Sequence, residues 1–421
     1  MLVASASARD RGPFLRISAR ASSSGETQGS GHLTERDPGA CVSAGGPVTE
    51  DTLGAVAALL PGVGIEPVEV LRRTERSEVL RVRAVRPGWA GPQMLIVKVF
   101  PDAGEGWVRE SAALAAAPAG APVPRLVAAG ASPPVVVMTD AGTGPSVADA
   151  LLGDDAAEAG TAVGRLAAAL AVLHLSTQGV RDAFGAELAA RSGGTVPESA
   201  IPGFVTGAVA ALAGFCDRLG VRVPEGALPE LADLPERLSA AAPAALTLAD
   251  ACPDNNVRVG DGYVLIDFEE AEWRHIAWDV SYLTVPWPSC WCSFLLPADV
   301  TRQALARYRA TIAGRLPYVD TPAFDHDVAL ATTSWAFVSV SWFIRAALSK
   351  DRPLHHLAAD LPTRRAVILH RLDDARNATA LPVLAEFAAR LRTELVLRWG
   401  EVPLEPAPAF RPAAGAHRPA G

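Results

Sequence analysis

Lysine is almost missing from this chain. Only Lys98 and Lys350 occur, so nearly all of the 38 Lys and Arg residues are arginine. No Lys/Arg-rich run is present and the formal net charge is −8, which excludes a nonspecific nucleic-acid surface built on positive charge. Cysteine is sparse and odd in number: Cys41, Cys216, Cys252, Cys290 and Cys292. Such a count does not suit a disulfide framework and predicts reduced thiols in a cytoplasmic, soluble protein. The uncharged stretch Val328 to Ile344 contains Thr332, Thr333, Ser334, Ser339 and Ser341. It is slightly short for a bilayer and reads as a buried helix, so no membrane span is expected. Residues 1–46 are Gly/Ser/Ala-rich without an apolar signal core, and a disordered extension is expected there.

Apolar residues are plentiful, at 49% of 421, enough for a large core and more than one domain. After a short helix over 52–60, Val68–Arg73 and Val79–Ala84 alternate like paired strands. The turn between them, Thr74-Glu75-Arg76-Ser77, lacks glycine. Met94–Phe100 is an apolar strand with one charge in it, Lys98. A helix is predicted over 106–117 and a buried strand at Val135–Thr139. Beyond these the chain turns helical, with helices predicted at 162–176, 204–218, 229–241, 299–314, 323–349, 355–373 and 381–398. The Pro/Ala-rich tail over 403–421 should be loose.

The densest chemistry lies in Asp250-Ala-Cys-Pro-Asp-Asn255-Asn-Val-Arg-Val, followed by Gly260-Asp261-Gly262 and Val264-Leu-Ile-Asp267-Phe. Gly-Asp-Gly between two short apolar runs is a hairpin signal. Such a hairpin folds Asp250, Asn255 and Asp267 toward one small volume. A carboxylate beside a reacting hydroxyl, with an amide and a second carboxylate to hold Mg²⁺, is what phosphoryl transfer needs. A calcium loop is excluded, because the loop glycine and terminal Glu of that motif are missing. Acids and amides that merely cap a turn are the plainer alternative.

This segment resembles the catalytic loop of protein kinases and, more closely, the aminoglycoside phosphotransferase and choline kinase-like group. There, Ile-Asp-(Phe/Trp) stands where kinases have Asp-Phe-Gly, as in Ile266-Asp267-Phe268. The group also has a proline in the loop, like Pro253, and a later Asp like Asp279. The resemblance implies an α+β, two-lobed protein kinase-like fold. Its parts would be a small β-rich nucleotide-binding N-lobe (47–140) and a large helical C-lobe (141–402) with the catalytic loop at the junction. It implies ATP and Mg²⁺ as cofactors and a small-molecule hydroxyl as acceptor of the γ-phosphoryl group.

By the same resemblance, Asp250 is the catalytic base, and Asn255 and Asp267 hold the metal. Asn256 rivals Asn255, and the five-residue spacing favours Asn255. Lys98 grips the nucleotide phosphates and Glu110 fixes its ammonium head, with Glu105 in reserve. Ser77 and nearby amides cover the phosphates, and the connector after Asp140 meets the adenine edge. Asp279 holds the loop backbone, and His174, alone on an apolar stripe, is structural. The plainer readings are a strand-edge lysine at 98, a solvated glutamate at 110 and an ordinary hairpin tip at 77.

Three departures stand out: Leu248 replaces the loop histidine, Ala249 replaces the usual glycine, and the strand turn has no glycine. They motivate an alternative, a catalytically silent nucleotide- or metabolite-binding module. Trp273, Trp278, Trp287 and Trp291 lie near Glu269, Glu270 and Glu272, a pattern that suits an amine-bearing acceptor unless these rings fill the core. Cys290-Trp-Cys292 would need Cys252 or His275 to complete a zinc site, and packed thiols are the preferred reading.

Overall fold

In the computed structural model, which describes residues 50–85, 91–239, 243–284, 287, 290–354 and 361–412, the alternating residues near the start of the chain build a sheet. A helix, α1 (Glu50–Leu59), precedes β1 (Gly64–Arg73), β2 (Glu78–Val85) and β3 (Met94–Val99). Helix α2 (Glu105–Ala116) follows, then β4 (Leu126–Ala131) and β5 (Pro134–Thr139). The five strands pair antiparallel in the order β1-β2-β3-β5-β4. Their period of two separates the faces. Leu80, Val82, Leu95, Val97, Val135 and Val137 form one buried core with Val56 and Leu60. On the other face Lys98 sits opposite Val136 and Ile96 opposite Met138, and Val136 and Met138 belong to the large core. Burying each such Val or Leu contributes about 1.5–3 kcal/mol, so the alternation fixes which side Lys98 faces.

The larger lobe is mostly helical: α3 (Val147–Leu151), α4 (Ala156–Thr177), α5 (Arg181–Arg191), α6 (Ala200–Leu219) and α7 (Ala227–Ser239). Four short strands follow, β6 (Ala244–Thr247), β7 (Asn256–Val259), β8 (Gly262–Leu265) and β9 (Glu272–His275), with β6 paired to β9 and β7 to β8. Then come α8 (Ala277–Val280), α9 (Ala298–Ile312), α10 (Pro322–Ser349), α11 (Arg364–Arg376) and α12 (Pro382–Trp399). This is the expected two-lobed protein kinase-like fold. By length and composition alone α4, α6 and α10 are apolar enough to cross a membrane, but 72% of the apolar window of α10 is buried inside the protein.

Several expectations need correction. Of the helix expected over 355–373, α11 covers the part from Arg364, after the Pro353–Thr363 bridge, and residues 355–360 lie outside the described residues. Helix α5 and strand β4 (Leu-Val-Ala-Ala-Gly-Ala) are absent from the sequence expectations, since alanine carries little strand signal. The tail is not loose as far as Pro412. Leu295 exchanges backbone hydrogen bonds with Glu405 and Ala407, while Leu404, Ala407 and Ala409 are buried. The expected extension 1–46 and the last residues of the tail lie outside the described residues.

Candidate functional site: an acid-rich cleft between the lobes

The hairpin β7–β8 brings the loop residues together. Asn256 pairs with Leu265, and the Ile266 amide donates to the Asn255 carbonyl at 3.0 Å, so Asp267 emerges beside Asn255. Asn255 Nδ2 donates to the Asp250 carbonyl (2.9 Å) and lies 3.4 Å from Asp250 Oδ2, which leaves its amide oxygen as a ligand atom. Asn256 is committed elsewhere. Its Oδ1 accepts the Val147 amide and its Nδ2 donates to the Pro253 carbonyl, so it welds the loop to the connector between the lobes. Gly144 permits this contact, since a Cβ there would meet the Arg258 carbonyl oxygen at 2.0 Å.

Two non-glycine residues take left-handed backbone: Ala249, with φ 64°, and Asp267, with φ 68°. Such a conformation costs about 1–2 kcal/mol in an L-residue. Both flank the candidate chemistry, and Ala249 adopts here the conformation a glycine would take freely.

Lys98 is the hub. It is 5% exposed, and its Nζ lies 2.6 Å from Glu110 Oε2, 2.6 Å from Asp267 Oδ1 and 2.9 Å from Glu269 Oε2. Burial opposes its charge, but the three carboxylates outweigh burial and raise its pKa above the ordinary value. Burial pushes Glu110 up to about 7 against the pull of Lys98, and Asp267 and Glu269 push the same way. Glu105, the reserve partner, is mostly exposed and faces Arg109 instead. Glu269 is missing from the sequence expectations for this role. Asp267 is left-handed and Glu269 follows in a turn, so no strand periodicity signals that the two share a side.

The oxygens of Glu110, Asp267 and Glu269 lie within 4.8 Å of one another. Carboxylate oxygens of this kind, with an amide oxygen on the neighbouring loop at Asn255, are donors that Mg²⁺ prefers, so the residue types fit that ion. Ser77 is buried at the base of the β1–β2 turn, and its amide is accepted by Thr74 Oγ1 at 3.2 Å. Asp254, also missing from those expectations, is 2% exposed. Burial raises it to about 6, opposed by a hydrogen bond from Trp291 Nε1 to Oδ2, and Asp250 adds to the rise.

A second charged cluster supports the loop from behind. Asp279 is fully buried; its Oδ2 accepts the Leu248 amide (3.2 Å) and lies 3.3 Å from His174 Nε2, while its Oδ1 accepts Arg274 Nη2 (2.7 Å). Burial pushes Asp279 up, yet the hydrogen bonds and charges of His174 and Arg274 prevail and hold it below the ordinary carboxylate value. His174 Nδ1 in turn pairs with Tyr308 Oη at 2.8 Å. Loop support therefore survives with Leu248 in place of histidine.

The expectation of reduced thiols is overturned for two of the cysteines. Cys252 and Cys290 form a disulfide, with Cα atoms 6.1 Å apart and Cys252 Sγ 2.9 Å from Asp250 Oδ1. The partners are 38 residues apart, and only the tertiary fold brings them together. Bonded sulfurs offer no thiolate, so the zinc reading fails as well. Trp278, Trp287 and Trp291 are buried in the large core, and Glu272 accepts Ser199 Oγ and the Ala200 amide at the start of α6. Three of the four tryptophans and Glu272 therefore do structural work, whereas Glu269 lies in the cleft beside Lys98.

The phosphotransferase enzyme family matches residues 72–318, more than half of the chain and all of this cleft. The chain belongs to that family. This phosphotransferase is also similar in fold to a choline/ethanolamine kinase family protein from Mesorhizobium loti, with 18% identity, TM-score 0.44, and 82% of this chain and 99% of that one covered. A Plasmodium vivax ethanolamine kinase shares 11% identity at TM-score 0.46, covering 80% and 88%. A macrolide 2′-phosphotransferase from Brachybacterium faecium shares 15% at TM-score 0.41, covering 79% and 98%. Comparison with curated protein sequences gave no match.

Proposed function

We propose that this phosphotransferase moves the γ-phosphoryl group of ATP, with Mg²⁺, onto a hydroxyl of a small molecule. One observation carries the reading: the single strand lysine bonds a helix glutamate and the Asp of Ile-Asp-Phe at once, beside a loop holding Asp250 and Asn255. Asp250 accepts the proton of the acceptor hydroxyl as the new P–O bond forms. Lys98, held by Glu110, binds the phosphates as a compact charge. Asn255 and Asp267 would hold Mg²⁺, which when bound neutralises phosphate charge and aligns the transferring group. A cytoplasmic location goes with this reading through its supply of ATP, and burial of both half-cystines would shield the disulfide from cytosolic thiols. No observation favours the silent-module alternative: Ala249 takes the glycine conformation, and Asp279 holds Leu248.

Calorimetric titration of ATP with and without Mg²⁺ tests the proposal. Wild type should bind only with Mg²⁺, Asp267→Ala should lose that binding, and Asp250→Asn should keep it while phosphoryl transfer falls about 10²–10⁴-fold. Absence of nucleotide binding in the folded wild type overturns the assignment.

A further inference from the structure

Three of the four amides of the β1–β2 turn are engaged within it. Thr74 Oγ1 accepts both the Arg76 and the Ser77 amides at 3.2 Å, and the Thr74 amide donates to the Ser77 carbonyl. Backbone donors that a glycine-rich loop would turn toward phosphate are spent on closing the turn itself. With those amides spent, side chains become the main source of phosphate contacts from above the cleft.

Arg72, the next-to-last residue of β1, is placed for this. Its Nη1 lies 3.9 Å from Asp267 Oδ2, too long for a hydrogen bond. Its Nε is buried and has no hydrogen-bond partner among the described residues. The side chain is 14% exposed, so the guanidinium is held in the cleft and not in solvent. Its charge also reaches Asp254, whose Oδ1 likewise has no hydrogen-bond partner among the described residues. Arg72 thus stands between the candidate metal ligand and the catalytic loop, incompletely satisfied by either. The cleft as a whole holds Glu110, Asp250, Asp254, Asp267 and Glu269 against Lys98, Arg72 and Arg76. A polyphosphate entering such an acid-rich site needs a cation facing it from the N-lobe.

We propose that Arg72 is a phosphate-binding residue of this enzyme: its guanidinium leaves Asp267 and takes the terminal phosphate oxygens of the nucleotide, doing with a side chain what a glycine-rich turn does with amides. The fork of N–H donors suits phosphate oxygens. The proposal rests on the nucleotide site argued above, and Lys98 alone does not supply it, being bonded on three sides already.

The test is calorimetry of Mg²⁺-ATP, Mg²⁺-ADP and adenosine against wild type, Arg72→Met and Arg72→Lys, with melting temperatures recorded. Without its charge-assisted hydrogen bonds to the phosphates, Arg72→Met should bind ATP about 10–100-fold more weakly, with a smaller drop for ADP and none for adenosine. Arg72→Lys should recover part of the ATP affinity. Unchanged ATP affinity in a folded Arg72→Met overturns the proposal, as does an equal drop for adenosine, which would mark a structural role. If folded wild type binds no nucleotide at all, the nucleotide site itself fails and this proposal with it. That result differs from one in which wild type binds and the variant matches it.

Discussion

Two buried ionic clusters flank the catalytic loop, and they are built on opposite principles. Around Lys98 three carboxylates surround one ammonium, and two arginines hang nearby at 3.8–3.9 Å. Around Asp279 one carboxylate is enclosed by Arg274, His174 and the Leu248 amide, each within 3.3 Å. The first cluster bonds three carboxylates to one ammonium, with both arginines beyond hydrogen-bond distance, and it faces the cleft. The second is matched and fully buried. Burying charge is tolerated only when partners satisfy it: the compact bonding at Asp279 suits scaffold, and the looser, cleft-facing cluster at Lys98 suits the proposed nucleotide site.

Variants can break this contrast. The largest effect on folding should come from Asp279→Ala, which leaves Arg274 buried without its carboxylate and frees the Leu248 amide; a loss of about 3–5 kcal/mol in denaturant unfolding is expected. A loss below about 1 kcal/mol would mean the second cluster is not scaffold. Next comes the covalent tie between the loop and the large lobe. Breaking Cys252–Cys290 with a dithiol under mild denaturant, or by Cys→Ser at both positions, should cost about 2–4 kcal/mol for a loop of this length, read as a lower melting temperature. An unchanged melting temperature would argue against the bond. The smallest effect is expected for Glu269→Gln. Removing one of three crowded carboxylates relieves repulsion, so stability should stay within about 1 kcal/mol of wild type or rise, while Mg²⁺-dependent ATP affinity falls. A large destabilisation there would erase the distinction between the clusters.

What the sequence disclosed and what it hid follow a physical divide. The hairpin at Gly260–Gly262, the lone charge of Lys98 in its strand and the Asp250/Asn255/Asp267 spacing are local, and ladder register converts spacing directly into proximity. Glu110 is reachable only through resemblance, because its partner strand lies across a turn of unpredictable path. Arg72, Asp254 and the His174–Asp279 pair depend on how the lobes and helices pack, which no periodicity encodes. The disulfide escapes the sequence for the same reason: five scattered cysteines carry no information about which two will meet. The tail escapes it because Pro and Ala composition signals missing secondary structure, yet Ala407 and Ala409 still bury against the lobe.

The Cys252–Cys290 bond also closes a covalent ring, and both candidate metal ligands ride on it. Asn255, the β7–β8 hairpin, Asp267, Glu269, β9 and Asp279 all fall between the two half-cystines, with Asp250 two residues outside. A single backbone cut at the hairpin tip Gly260–Asp261 would divide the polypeptide yet release no fragment, because the pieces would stay joined through sulfur. Lys98, Glu110 and Arg72 lie outside the ring, on the other lobe. Any hinge that opens the cleft for substrate entry must then move those three residues against a stitched unit.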